Sequence, residues 1–299
     1  MTRLLPLLAL GALVVGCAGP RAVPEPAVTG LALVATFTDA RALAADGSGR
    51  LYVVDAAESV VVVLDTAGVR LATFGGPGAG AYAFLEPADV DPTNGLELYV
   101  ADAGNGRLQR FSRDGRLLDT VPVPLDVPPA GSNASIPPDA QRGRPVAVAA
   151  GAAGAVYAAE GSRNVVYVWR GSSRQAEPLG GERSTREAPA APVGLDARGD
   201  GTLAVADGRR GEAVVYDALG HPLRTLPGPD GVRAVSWAEG RDGPRLLVTG
   251  ARAVAVYADD GRLLGTRSFE LGRETLVDAV ESDGRLWLLT PTRLLRVEG

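Results

Sequence analysis

The chain has 299 residues and a net charge of −5, and all 30 of its basic residues are arginine. The acidic balance excludes a surface built to follow nucleic-acid phosphates, and the single cysteine, Cys17, excludes an intrachain disulfide. Hydrophobic residues make up 46% but aromatics only 5%, so a core must be built of Val, Leu and Ala, and 39 glycines with 22 prolines call for many turns.

The first element is a targeting segment. Arg3 gives a positive start, and Leu4 to Val15 is apolar, interrupted only by Pro6 and Gly11. That run is too short to span a bilayer. It ends at Val14-Val15-Gly16-Cys17, which resembles the bacterial lipobox. The resemblance implies that residues 1–16 are a signal peptide and that Cys17 is acylated, which anchors the protein in a membrane. Ala18 follows, with no aspartate to retain the chain at an inner membrane, so an outer membrane is favoured, facing periplasm or cell surface. Residues 17–30, rich in Ala and Pro, read as a tether reaching roughly 40 Å.

Residues 31–299 repeat. Apolar runs after a glycine turn begin at Leu51, Leu98, Val156, Leu203, Leu246 and Leu286, 40 to 58 residues apart. Such a period marks a repeat architecture. Pro87, Pro145 and Pro192 open a second short strand upstream, with Ala40 and Thr275 at the same place in the first and sixth copies. The fifth copy holds three extra residues within Glu239 to Pro244. Each copy reads as four strands, a to d; in the second these are Ala88 to Asp91, Glu97 to Ala101, Arg107 to Ser112 and Arg116 to Val121. Asp114-Gly115 makes the c–d turn, repeated at Ala67-Gly68, Leu219-Gly220 and Asp260-Gly261. Ser59 to Leu64 is apolar on both faces, as a strand sandwiched between blades requires. The sixth copy stops at strand c, Arg293 to Val297, and Leu31 to Phe37 supplies the missing fourth strand. The expected fold is all-β: a six-bladed β-propeller of four-stranded antiparallel blades, closed by residues 31–37 pairing in the last blade.

The second copy carries a family resemblance. Pro87-Ala88-Asp89-Val90, then Leu98-Tyr99-Val100-Ala101-Asp102-Ala103-Gly104-Asn105-Gly106-Arg107-Leu108, resembles the NHL repeat. Phe74-Gly75-Gly76, with Gly80 and Phe84, resembles the loop that precedes such a repeat. The resemblance covers residues 31–299 and implies the fold; it implies little about activity, because propellers host unrelated chemistries.

Candidate site residues fall into five groups. The acids closing strand b, namely Asp55, Asp102, Glu160 and Asp207, are expected to accept backbone hydrogen bonds, with Asp102 also pairing Arg107. Near the channel, Asp89, Asp91, Asp196 and Asp278 either stand solvated or converge on a cation; calcium prefers such oxygen ligands, and six-bladed lactonases resemble this arrangement. Arg41, Arg144 and Arg233 fall at the channel mouth and Arg163 in a b–c turn, where they either stand as a plain solvated surface or meet an anionic partner. Two insertions, residues 122–144 and 171–191, leave from the same face and read either as partner contacts or as disordered segments. His221, the only histidine, lies in a c–d turn, which disfavours histidine-rich metal sites and a Ser-His-Asp triad. Amidating-lyase propellers, which also resemble NHL repeats, are for that reason a poor match.

With no catalytic pair, metal-ligand cluster or cofactor loop in the sequence, the expected function is that of a monomeric, non-catalytic scaffold. It would be anchored in the envelope and bind a protein, peptide or glycan on its d–a and b–c loop face. The alternative is a metal-dependent hydrolase, lactonase-like, working through the channel carboxylates.

Overall fold

Strands that bury both faces cannot stand alone, and the chain satisfies them by stacking sheets around an axis. A computed structural model describes residues 28, 30–92, 95–125, 142–171, 173–179 and 188–298. The targeting segment with Cys17, nearly all of the tether and the interiors of both insertions lie outside the described residues. There are six sheets of four strands each. The first five blades run Ala40–Ala45, Leu51–Asp55, Val60–Leu64, Arg70–Gly75; then Pro87–Asp91, Glu97–Asp102, Arg107–Ser112, Leu117–Pro122; then Pro145–Ala150, Val156–Glu160, Val165–Trp169, Glu177–Pro178; then Pro192–Ala197, Leu203–Asp207, Glu212–Tyr216, Pro222–Pro227; then Ala234–Gly240, Gly243–Thr249, Ala253–Ala258, Leu263–Ser268. The sixth is Asp278–Ser282, Arg285–Leu289 and Arg293–Val297, completed on its outside by Leu31–Thr36.

That last pairing closes the ring as the sequence predicts. Leu31 lies opposite Val297 and Thr36 opposite Arg293, so the two ends of the chain share one antiparallel ladder. The seam therefore has no unpaired edge between first and last blades.

Alternation along strand b explains the radial core. Leu51 and Val53 pack toward the sixth blade, against Val280, Trp287 and Leu289. Tyr52 and Val54 point the other way, against Val90, Leu98 and Val100 of the second blade. One hydrophobic cluster of this kind fills each junction. Burying each such Leu or Val side chain contributes about 1.5–3 kcal/mol. The c–d turns are locally encoded: Asp65 Oδ1 accepts from the Ala67 and Val69 amides at 2.9 and 2.8 Å, and Asp217 Oδ1 does the same for Leu219 and His221. The turn glycine Gly115 sits at φ 82°, which a side chain would disfavour.

The extra residues of the fifth copy lengthen its inner hairpin. Its strands a and b have seven residues each, and Gly240 pairs with Gly243 at the tip. The sixth inner strand starts at Asp278 rather than near Thr275, because Leu276 turns into the junction with the fifth blade first. No helix among the described residues is long and apolar enough to cross a membrane.

Candidate functional site

The acids that close strand b are structural clamps. Asp102 is fully buried and accepts from the Leu85 amide (2.8 Å), Asn105 Nδ2 (2.8 Å) and Arg107 Nε (2.7 Å). Asp55 takes the amides of Thr38 and Asp39, Glu160 those of Arg144, Ser162 and Arg163, and Asp207 those of Ala190, Ala191, Arg209 and Arg210. Each fastens the incoming d–a segment to its blade, and in all but the first the same side chain also holds the b–c turn. In the sixth blade Thr290 occupies this position, and Glu274 supplies the carboxylate from the d–a side, accepting from Thr290, Thr292 and Arg293. Sequence reasoning missed Glu274 because it stands outside the repeated position.

All four predicted channel acids line one cavity of about 470 Å³ around the axis. They do not stand free in it. Asp278 accepts the Leu43 amide of the first blade at 2.9 Å, Asp89 the Val148 amide of the third at 2.8 Å, and Asp196 the Trp237 amide of the fifth at 2.6 Å. Asp91 accepts the Ala150 amide, also of the third blade. Even-numbered blades thus give the carboxylates and odd-numbered blades the amides. The physical reason is that inner strands are sheet edges whose N–H groups face the axis and need acceptors. This corrects the expectation that the acids are merely solvated: Asp91 and Asp278 are buried, and Asp89 and Asp196 only partly reach the channel.

Burial makes three of these carboxyls reluctant to ionise. It lifts Asp278 to about 7, against the opposing pull of the Leu43 and Ala279 amides. It also raises Asp89 and Asp196 well above the ordinary range, Asp196 with help from the charge on Asp91. Among the described residues, no group of three or more His, Cys, Asp or Glu side chains is placed to hold a metal ion. All four carboxylates accept a backbone amide and three of them are held toward neutrality, which weakens them as ligands for a hard cation such as calcium.

The two channel mouths differ in charge. The wide one opens on the a–b turn face, where eight carboxylates face one arginine, Arg198. Arg198 lies over the Trp237 ring, 5.0 Å from its centre, and pairs with Asp200 and Asp259. Nothing in the repeat pattern signals this stack. The narrow mouth on the d–a and b–c loop face, about 50 Å³, is lined by Arg41 and Arg233. Arg41 is paired with Asp39 and Arg144 with Glu86, at 2.6 and 2.7 Å, so two of the four predicted arginines are already neutralised. Arg233 has no side-chain partner among the described residues. Arg163 is placed in the b–c turn of the third blade by its amide bond to Glu160, on the same face. The flanks of the first insertion also meet there, at a bridge between Pro124 and Arg142.

No family model matches the chain. It is similar to a streptogramin B lyase at 14% identity and a TM-score of 0.61, over 91% of this chain and 99% of that one. It is likewise similar to virginiamycin B lyase from Staphylococcus aureus, at 12% identity and a TM-score of 0.60, over 90% and 99%. A catalytically inactive histidine-to-alanine variant of that lyase, crystallised with quinupristin, matches at 10% identity and a TM-score of 0.59, over 87% and 80%. At these identities the likeness shows the fold alone. In the present chain the one histidine, His221, is on the outer rim, its side chain 70% exposed and 3.1 Å from Asp217.

Proposed function

We propose that this propeller is a binding protein without a catalytic centre, held at the cell envelope by Cys17 and presenting its d–a and b–c loop face to a protein, peptide or glycan. The observation that carries this reading is the use of the channel carboxylates: each is engaged by an amide of the neighbouring blade and serves to join blades. Arg233, without a side-chain partner among the described residues and lining the narrow mouth, is the residue best placed to meet an anionic group of the partner. Capture from envelope extracts tests this. Arg233→Glu should lower recovery of the partner by about tenfold, whereas His221→Ala should leave it unchanged; equal recovery with Arg233→Glu removes this face from the reading.

A second reading, a hydrolase of the lactonase kind, draws support from the carboxyls held protonated toward neutral pH in a cavity, the state required of a general acid. Lactone hydrolysis that disappears with Asp278→Asn, or calcium bound in stoichiometric amount and lost with Asp91→Asn, would favour it over the binding reading.

A further inference from the structure

The rim of the fifth and sixth blades combines three features found together nowhere else among the described residues: an open groove, unpaired arginines, and the point where the preceding chain enters the ring. The groove, about 900 Å³, runs between the two blades over Leu247, Val254, Val256 and Leu286. Leu247 stands here where Tyr52, Tyr99 and Tyr157 stand in the first three blades, so a smaller side chain faces the junction. A shallower recess continues it past Arg267, Arg285 and Arg296 to Glu298. Val28 bridges Phe269 of the fifth blade, its amide donating to the Ser268 carbonyl at 2.7 Å, and Glu298 donates its amide to the Gly30 carbonyl at 2.9 Å, so the chain enters along this junction.

The groove is lined by as many arginines as carboxylates, Asp242 among them, and the recess beyond it adds Arg285, Arg296 and Glu298. Glu281 is taken by Arg245 and Glu298 by Arg296. Glu239 and Asp283 also line the wide channel mouth. Arg262, Arg267 and Arg285 make no side-chain hydrogen bond or ion pair among the described residues, and all three are exposed. Beside them Leu33, Leu263 and Leu264 are 59%, 47% and 43% exposed. Exposed leucines interleaved with unpaired arginines suit a surface that is apolar below and phosphate-rich above.

We propose that this rim docks on an anionic phospholipid surface, the three leucines entering the headgroup layer while Arg262, Arg267 and Arg285 meet lipid phosphates. The inference rests on the reading of residues 17–30 as a tether: a tether that joins the ring at this junction holds the rim close to the membrane, and the leucines and arginines then set which surface meets it. The ring would then lie on its edge, with the Arg233 face open to the periplasm or exterior.

The test uses a chain starting at residue 17 with Cys17→Ser, which cannot be acylated and keeps every blade of the self-closed ring. Sedimentation with phosphatidylglycerol-rich vesicles should show binding that falls about tenfold in Leu263→Ser/Leu264→Ser. Arg267→Glu/Arg285→Glu should fall at least fivefold on these vesicles and show no such difference on phosphatidylcholine. Tyr82→Ser/Leu85→Ser, at the opposite face, should bind as the parent does. Absence of binding by the parent, or equal binding by all variants, overturns the proposal. So does a parent dimer that the leucine variants convert to monomer without altering sedimentation, since the rim would then join two copies. Mass spectrometry of the envelope-extracted full chain reads acylation of Cys17 separately, so a failed anchor is told apart from a failed rim.

Discussion

Replacing Asp278 by asparagine should make the protein more stable at pH 8 and slightly less stable at pH 4. Asp278 is buried, and its carboxyl holds its proton to about 7 in the folded ring, against an ordinary value of 3.8. The folded state therefore keeps a proton that the unfolded chain releases, so stability falls as pH rises from about 4 to about 7 and is flat above. The full difference corresponds to about 4 kcal/mol. Asparagine retains an oxygen that can accept the Leu43 amide but carries no charge to desolvate. A weaker acceptor gives back about 1–2 kcal/mol, leaving a net gain of about 2–3 kcal/mol above pH 8. Thermal unfolding followed by circular dichroism at both pH values should show the variant melting several degrees higher at pH 8 only. A variant that loses equal stability at both pH values would refute the reasoning, because the carboxylate would then act as an ionised acceptor that an amide cannot replace.

Other perturbations probe the clamps and the seam. Asp102→Ala leaves Arg107 without its buried counter-charge and should cost about 3–5 kcal/mol in urea unfolding. Phe84→Ala empties a fully buried site where the ring lies against Gly75 and edge-on to Phe111; a loss of about 3–5 kcal/mol is expected from the same measurement. A chain beginning at residue 37 removes the outer strand of the sixth blade and bares the edge at Arg293–Val297. It should elute as oligomers in gel filtration, and a clean monomer would show that the closing strand is dispensable.

Two expectations about charge needed revision for a common reason. Arg41 and Arg144 look like a cationic ring in sequence, yet Asp39 and Glu86 neutralise them, and Glu86 lies 58 residues upstream of its partner. The channel acids sit at different positions within their repeats, which reads as disorder in the pattern. In the ring each finds the inner-strand amide of the next blade, at the fourth residue for Leu43, Val148 and Trp237.

What the sequence by itself determined is mostly what depends on contacts close along the chain: the six hairpin-linked sheets, the Asp-stabilised c–d turns and the lengthened hairpin of the fifth blade; the one distant pairing it gave away is the strand missing from the last sheet, which the repeat count itself exposes and residues 31–36 supply. Apolar alternation and turn residues are local signals, and they add up over six copies. Only the tertiary structure decided which charges meet: Asp278 and Leu43 are 235 residues apart, and Arg245 with Glu281 belong to different blades. A charged side chain reaches one partner through a direction fixed by the twist and stacking of whole sheets, and no periodicity along the chain encodes that direction.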